Sequence, residues 1–193
     1  MSVLPTAKTQ PTDEQLIERY LQGDEPALEA LISRYLKPIY GFVHRCLAGS
    51  PEAADIAQET FIKAWRSLRR FDQTKKFKPW LYRIARNASL DHLKKNKIIP
   101  FAALEDDHGM QPGETIPDDR PLPDEIFEDS LSAQAVGSAL GELAHEQRAV
   151  LVLRAESGLT FEEMSETLNE PLNTVKSRYR RALQALKKKL KPE

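Results

Sequence analysis

The chain has 193 residues, 29 acidic and 28 basic, with a single cysteine. That length suits one large or two small domains, and one cysteine excludes an internal disulfide and fits a reducing compartment. A net charge of −1 excludes a uniformly basic coat for nucleic acid, so any such function has to lie in how the charge is distributed.

Stretches rich in Ala, Leu, Glu, Lys and Arg favour helix. No segment sustains apolar/polar alternation, so the expected fold is all-α. Residues 1–11 lack periodicity and are read as a mobile N-terminus. Thr12 and Gln15 have capping-box spacing and open a helix carrying Leu16, Ile17, Tyr20 and Leu21, which Gly23 ends. Asp24 and Pro26 start a second helix carrying Leu28, Leu31, Ile32, Tyr35 and Leu36. Pro38 is predicted to kink or break it before residues 39–47 continue. In Gly49-Ser50-Pro51, Ser50 is the predicted cap and Pro51 the first helical residue of the next segment.

The helix predicted over 51–69 has two faces. Ala57, Phe61, Ala64, Trp65 and Leu68 are assigned to the core, and Asp55, Gln58, Glu59, Ile62 and Arg66 to the outside. Carboxylates, an amide and an exposed Ile together suit a protein-docking face. Residues 71–78 read as a basic loop, followed by a helix over 79–95 whose inward side is Leu81, Ile84, Ala85 and Ala88. Trp80, Arg83, Asn87, Asp91 and Lys94 cluster elsewhere, beside Phe71, Lys75, Lys76 and Phe77 of the loop. Rings with cations suit unstacked bases, with stacking for affinity and charge for phosphate. The same spacing also allows Trp80 and Phe77 to be ordinary core residues.

Charge runs in blocks. Residues 61–97 hold twelve Lys/Arg against Asp72 and Asp91, residues 105–129 hold ten acids against Arg120, and residues 176–191 hold eight basic residues and no acid. The acidic block lies in 98–129, too rich in proline and charge for a core or a stable helix, and is read as a flexible linker. The expected organisation is two small helical domains, 12–97 and 130–193. In the second, helical pattern resumes near Leu131 and again over 145–156.

Residues 158–182 carry two helix starts. Thr160 and Glu163 form a second capping box, and Phe161, Met164 and Leu168 give one apolar face. Residues 169–171 interrupt it, and Asn173 or Thr174 is the expected cap of the next helix. There Val175, Tyr179, Ala182 and Leu186 face inward, opposite Lys176, Ser177, Arg180, Arg181 and Gln184. A short helix, a tight turn and a second helix with a basic outer face is the helix-turn-helix pattern of major-groove readers.

DIAQETFIKAWRSL, then F-x5-F-x-x-WLYRIARNASLDHLKK, resembles the second conserved region of bacterial sigma-70-type factors. LTFEEMSETLNEPLNTVKSRYRRALQAL resembles the fourth. Both regions with only a linker between them resemble the extracytoplasmic-function, or group IV, sigma factors. The resemblance implies two tethered helical domains and no catalytic residue, metal or cofactor. It implies docking of Asp55, Gln58, Glu59, Ile62 and Arg66 on the largest-subunit clamp of core RNA polymerase. It also implies −10 DNA contacts by Phe71, Lys75, Lys76, Phe77, Trp80, Arg83, Asn87 and Lys94. Contacts to −35 DNA fall to Thr174, Lys176, Ser177, Arg178, Arg180 and Arg181. Promoter DNA, core polymerase and an anti-sigma factor are the implied partners. With no apolar run long enough to span a bilayer, the expected location is cytoplasmic without membrane insertion.

Two rivals stand beside this reading. One is a helix-turn-helix transcriptional regulator that never joins polymerase. The other is a carboxylate-bridged di-iron enzyme, suggested by Glu-x-x-His at Glu105/His108 and Glu142/His145. The first pair lies in the Pro/Gly-rich linker, where no helix aligns it, and such a site also needs a Glu from each of two further helices.

Overall fold

The computed structural model describes residues 10–96 and 133–190. The linker with its ten acids, the Glu105/His108 pair and most of the N-terminal extension lie outside them. The described residues are helical, without strands: α1 (Asp13–Leu21), α2 (Glu25–Cys46), α3 (Ala53–Leu68), α4 (Phe77–Lys95), α5 (Ala133–Gly141), α6 (His145–Ala155), α7 (Phe161–Leu168) and α8 (Leu172–Leu190).

Local chemistry sets several helix starts. The Thr12 hydroxyl accepts from the Gln15 amide at 3.2 Å, and the Gln15 side chain accepts from the Thr12 amide at 2.9 Å, so two orphan donors at the head of α1 are satisfied reciprocally. Pro26 lies in the first turn of α2, where its missing N–H is not needed. Pro38 departs from expectation, because α2 runs through it unbroken. Ile39, Phe42, Val43 and Cys46 beyond the proline are all essentially buried, and burial of such side chains at about 1.5–3 kcal/mol each outweighs one lost hydrogen bond. The start of α3 also differs. The helix begins at Ala53 with Glu52 as cap residue, and the Ser50 hydroxyl bonds the Glu52 carboxylate, so Ser50 and Pro51 belong to the preceding turn.

Helices α1–α4 surround Phe42 and Tyr82, whose rings meet edge to face at 5.2 Å. Helices α5–α8 enclose Val150, Leu153, Leu159 and Met164. The two groups pack on each other, with α2 against α6 and α4 against α7, and their apolar interiors form one continuous cluster.

Polar links cross that contact. Among the described residues, the buried Arg148 guanidinium donates only to backbone oxygens: Leu140, Gly141 and Leu143 at and just past the end of α5 at 2.8 Å each, Cys46 at 2.8 Å and Arg45 at 3.4 Å. Arg86 of α4 holds both carboxylate oxygens of Glu146 on α6, at 2.7 and 2.8 Å. Burial alone raises the Glu146 carboxyl, but cationic neighbours reverse this and hold it down at about 2. His145 Nδ1 lies 3.7 Å from that carboxylate, too far for a hydrogen bond, so Arg86 is the stronger anchor. Because the folded value is depressed, this group's contribution is complete above the ordinary carboxylate range and is lost as pH falls from about 4.3 toward 2. Protection factors for hydrogen exchange across α4 and α6, taken relative to the intrinsic rate at each pH, are therefore expected to be unchanged from pH 7 to pH 5.

Candidate nucleic-acid interface

The helix-turn-helix forms as its sequence dictates. The Thr160 hydroxyl accepts from the Glu163 amide at 3.2 Å, and the Glu163 carboxylate accepts from the Thr160 amide at 2.9 Å. Asn169 adopts φ 56°, ψ 47° and ends α7 in the left-handed conformation, which Asn tolerates better than most residues. The next helix starts at Leu172, so Asn173 and Thr174 sit inside its first turn instead of capping it. Val175, Tyr179, Ala182 and Leu186 are buried as the spacing requires, and Tyr179 meets Phe161 edge to face at 5.4 Å. Thr174, Lys176, Ser177, Arg180 and Arg181 are partly exposed along the other side of α8.

Arg178 corrects the sequence reading. It is only 3% exposed and donates to the Glu170 carboxylate in the turn at 2.7 Å. Position 178 falls between Val175 and Ala182 on the inward stripe, so its charge faces the domain and needs a partner there. Arg178→Ala is expected to destabilise the domain by about 3–5 kcal/mol, the cost of breaking a buried pair. Thermal denaturation checks this, and DNA affinity per folded molecule should stay near wild type.

On α3, Asp55, Gln58, Glu59, Ile62 and Arg66 are all exposed, and Glu59 pairs only locally with Lys63 at 2.8 Å. Trp65, assigned to the core from sequence, is 55% exposed, its indole N–H donating to the Tyr20 hydroxyl at 2.6 Å. The buried stripe is rotated toward Ala53, Ile56, Ala57 and Thr60. Thr60 enters the core because its hydroxyl bonds the Ile56 carbonyl at 2.8 Å. Leu36 and Tyr40 of α2, at 53% and 45% exposure, were not identified as surface residues from sequence. With Ile62 and Trp65 they line an open groove of about 460 Å³ between α2 and α3. The available signal was the four-residue step from Leu36 to Tyr40 and the three-residue step from Ile62 to Trp65.

Phe71, before α4, and Phe77, its first residue, are buried, which corrects their assignment as base-stacking residues. They form an aromatic trio with Trp80, at 4.8 Å from Phe71 and 5.5 Å from Phe77 between ring centroids, and Phe77 also meets Tyr35 at 5.6 Å. The loop is shorter than expected, since α4 begins at Phe77. Trp80 and Arg83 are partly buried, while Asn87, Lys75 and Lys94 are exposed. Steps of three, four and seven residues bring Trp80, Arg83, Asn87 and Lys94 to one side of α4. Asn87 Oδ1 accepts from Arg86 at 3.2 Å. Lys76 Nζ lies 2.7 Å from Glu163, whose hydrogen bond pushes the lysine pKa up. Arg83 donates to the Glu166 carbonyl.

Glu142 pairs with Lys189 at 2.8 Å, and His145 is buried. Among the described residues no cluster of His, Cys, Asp or Glu is placed to hold a metal ion, and no helix is long and apolar enough to cross a membrane.

Two family models match the chain: sigma-70 region 2 over residues 31–98 and sigma-70 region 4 over residues 133–186. The RNA polymerase sigma-H factor of Pseudomonas aeruginosa is 35% identical over 95% of this chain and 96% of its own. The ECF RNA polymerase sigma factor SigW of Bacillus subtilis is 33% identical over 91% of this chain and 95% of its own. Among solved structures, the sigma factor RpoE of Bartonella quintana, in complex with the anti-sigma factor NepR, superposes with a TM-score of 0.64 at 25% identity. The match covers 86% of this chain and 98% of that one. The chain belongs to the extracytoplasmic-function sigma factors of the sigma-70 family, the subunits that direct RNA polymerase to promoters.

Proposed function

We propose that the chain joins core RNA polymerase through the α2–α3 groove and its carboxylate rim, engages −10 DNA with the exposed side of α4, and reads −35 DNA with the outer side of α8. The observation that carries this is the groove. Leu36, Tyr40, Ile62 and Trp65 are large apolar side chains left uncovered together, flanked by Asp55, Gln58 and Glu59. An apolar centre with a polar rim is the anatomy of a protein interface. A regulator that never joined polymerase would leave that groove without a role. The proposed domain limits are 12–97 and 130–193. The protein acts as an initiation factor in the cytoplasm, without catalytic chemistry. The Bartonella relative is seen with an anti-sigma factor, which supports an anti-sigma partner here.

Mixing the chain with sigma-free core polymerase tests the reading: run-off transcripts from its promoters are expected, and none without it. Asn87→Ala is expected to leave closed complexes intact and reduce open complexes about tenfold, the worth of one hydrogen bond of about 1–1.5 kcal/mol. Permanganate footprinting beside gel-shift measures the two steps. Equal loss of both counts against a role for Asn87 in strand opening.

A further inference from the structure

Trp65 is placed unusually for a residue of its size. It lines the α2–α3 groove, whose other walls are chiefly apolar, yet it stands 55% exposed. A ring this large gains by folding onto apolar surface, and the groove beside it offers that surface. An indole collapsed into the groove would fill the space a polymerase helix needs.

The group that opposes collapse stands outside the groove. The indole N–H donates to the Tyr20 hydroxyl at 2.6 Å, and Tyr20 belongs to the last turn of α1. The indole has a single polar atom, a donor, so this bond selects among its orientations. Helix α1 is a firm post for it. Asp13 accepts from Arg34 at 2.5 Å and from the Tyr35 hydroxyl, and Arg19 pairs with Asp24 at 2.6 Å, so both ends of α1 are tied down. The Tyr20 ring is itself partly buried against the core. A second ring of the groove is braced in a similar way: Tyr40 lies against the His44 ring, with centroids 5.8 Å apart.

We infer that Tyr20 is a positioning residue for polymerase docking: its hydroxyl holds the Trp65 indole as a standing wall of the groove, and it acts through that ring without touching the partner. The inference rests on the groove being the docking site. Its physical basis is preorganisation. A site that is open only part of the time binds more weakly by that fraction, and a wall already in place need not be ordered when the partner arrives.

The test uses the full chain. Tyr20→Phe removes the hydroxyl and keeps the ring, so the melting temperature should stay near wild type. Its affinity for sigma-free core polymerase is expected to fall about fivefold, the worth of one hydrogen bond. A merely structural Tyr20 would not move the second readout. Fluorine NMR of chain carrying fluorotryptophan gives one resonance for each of the two tryptophans, and Trp65→Phe tells them apart. Tyr20→Phe should shift or broaden the Trp65 resonance and leave that of Trp80 in place. Trp65→Phe has no N–H to donate, so adding Tyr20→Phe in that background should cost no further affinity.

Affinity within twofold of wild type in folded Tyr20→Phe would overturn the inference. So would an unmoved Trp65 resonance, or an equal loss in the Trp65→Phe background. Ile62→Glu, measured alongside, separates this from failure of the docking reading. If it captures polymerase like wild type, the groove is not the docking site and Tyr20 has no such role. If Ile62→Glu loses capture and Tyr20→Phe does not, the positioning role alone fails.

Discussion

Ile62→Glu is expected to cut capture by sigma-free core polymerase at least about 30-fold while leaving the fold intact. Ile62 stands 41% exposed in the lining of the α2–α3 groove, so replacing it removes little from the chain's own core. Surface changes of this kind stay within about 0.5 kcal/mol of wild-type stability. At an interface the same position is costly, since truncating a central apolar anchor loses about 2 kcal/mol or more. Placing a carboxylate in an apolar pocket adds a desolvation penalty. Asp55→Lys with Glu59→Lys tests the rim in the same way, because neither acid supports a distant part of the fold. Affinity capture with purified core, beside a melting curve, settles both. Undiminished capture of the folded Ile62 variant would remove the groove as the docking site.

Arg180→Ala and Arg181→Ala are expected to weaken binding to −35 duplex by about 1–3 kcal/mol each where the side chain reads a base, and to relax preference at one position. Arginine has the reach and the paired donors for guanine, the commonest specific contact in the major groove. Where the contact is to phosphate, all sequences weaken alike and the salt dependence becomes shallower. Selection on randomised −35 DNA, followed by affinity measurement at two salt concentrations, distinguishes the outcomes. If neither substitution changes affinity at moderate salt, α8 does not read the element. Arg178 provides the contrast from one turn away. Its charge is directed to Glu170, and its loss should appear in stability.

What the sequence disclosed was what is local. Both capping boxes and the break after α7 at residues 169–171 are set within a few positions, so composition and spacing announce them. The inward stripe of α8 follows in the same way. Pro38 misled because a proline's local cost is visible in sequence, while the burial that offsets it is assembled from distant helices. Trp65 misled because α3 has apolar residues on two sides. One meets the core and the other faces the groove, and hydrophobicity does not tell a core from a docking surface. Phe71, Phe77 and Arg178 erred in the other direction, as residue types common in nucleic-acid contacts that this fold buries. The links between Arg86 and Glu146, and between Arg148 and Cys46, join residues 60 and 102 positions apart. No periodicity reports such pairs, so the closed arrangement was not legible at all.

Arg148 also bears on how this contact tolerates sequence drift. Every oxygen it binds belongs to the main chain of residues 45, 46, 140, 141 and 143, and a carbonyl is present whichever side chain stands there. These hydrogen bonds therefore do not depend on which side chain stands at the five positions, although Cys46, Leu140 and Leu143 also fill the core. For the hydrogen bonds themselves, sensitivity concentrates at position 148, where lysine has the charge but not the planar fork that spans two helix termini.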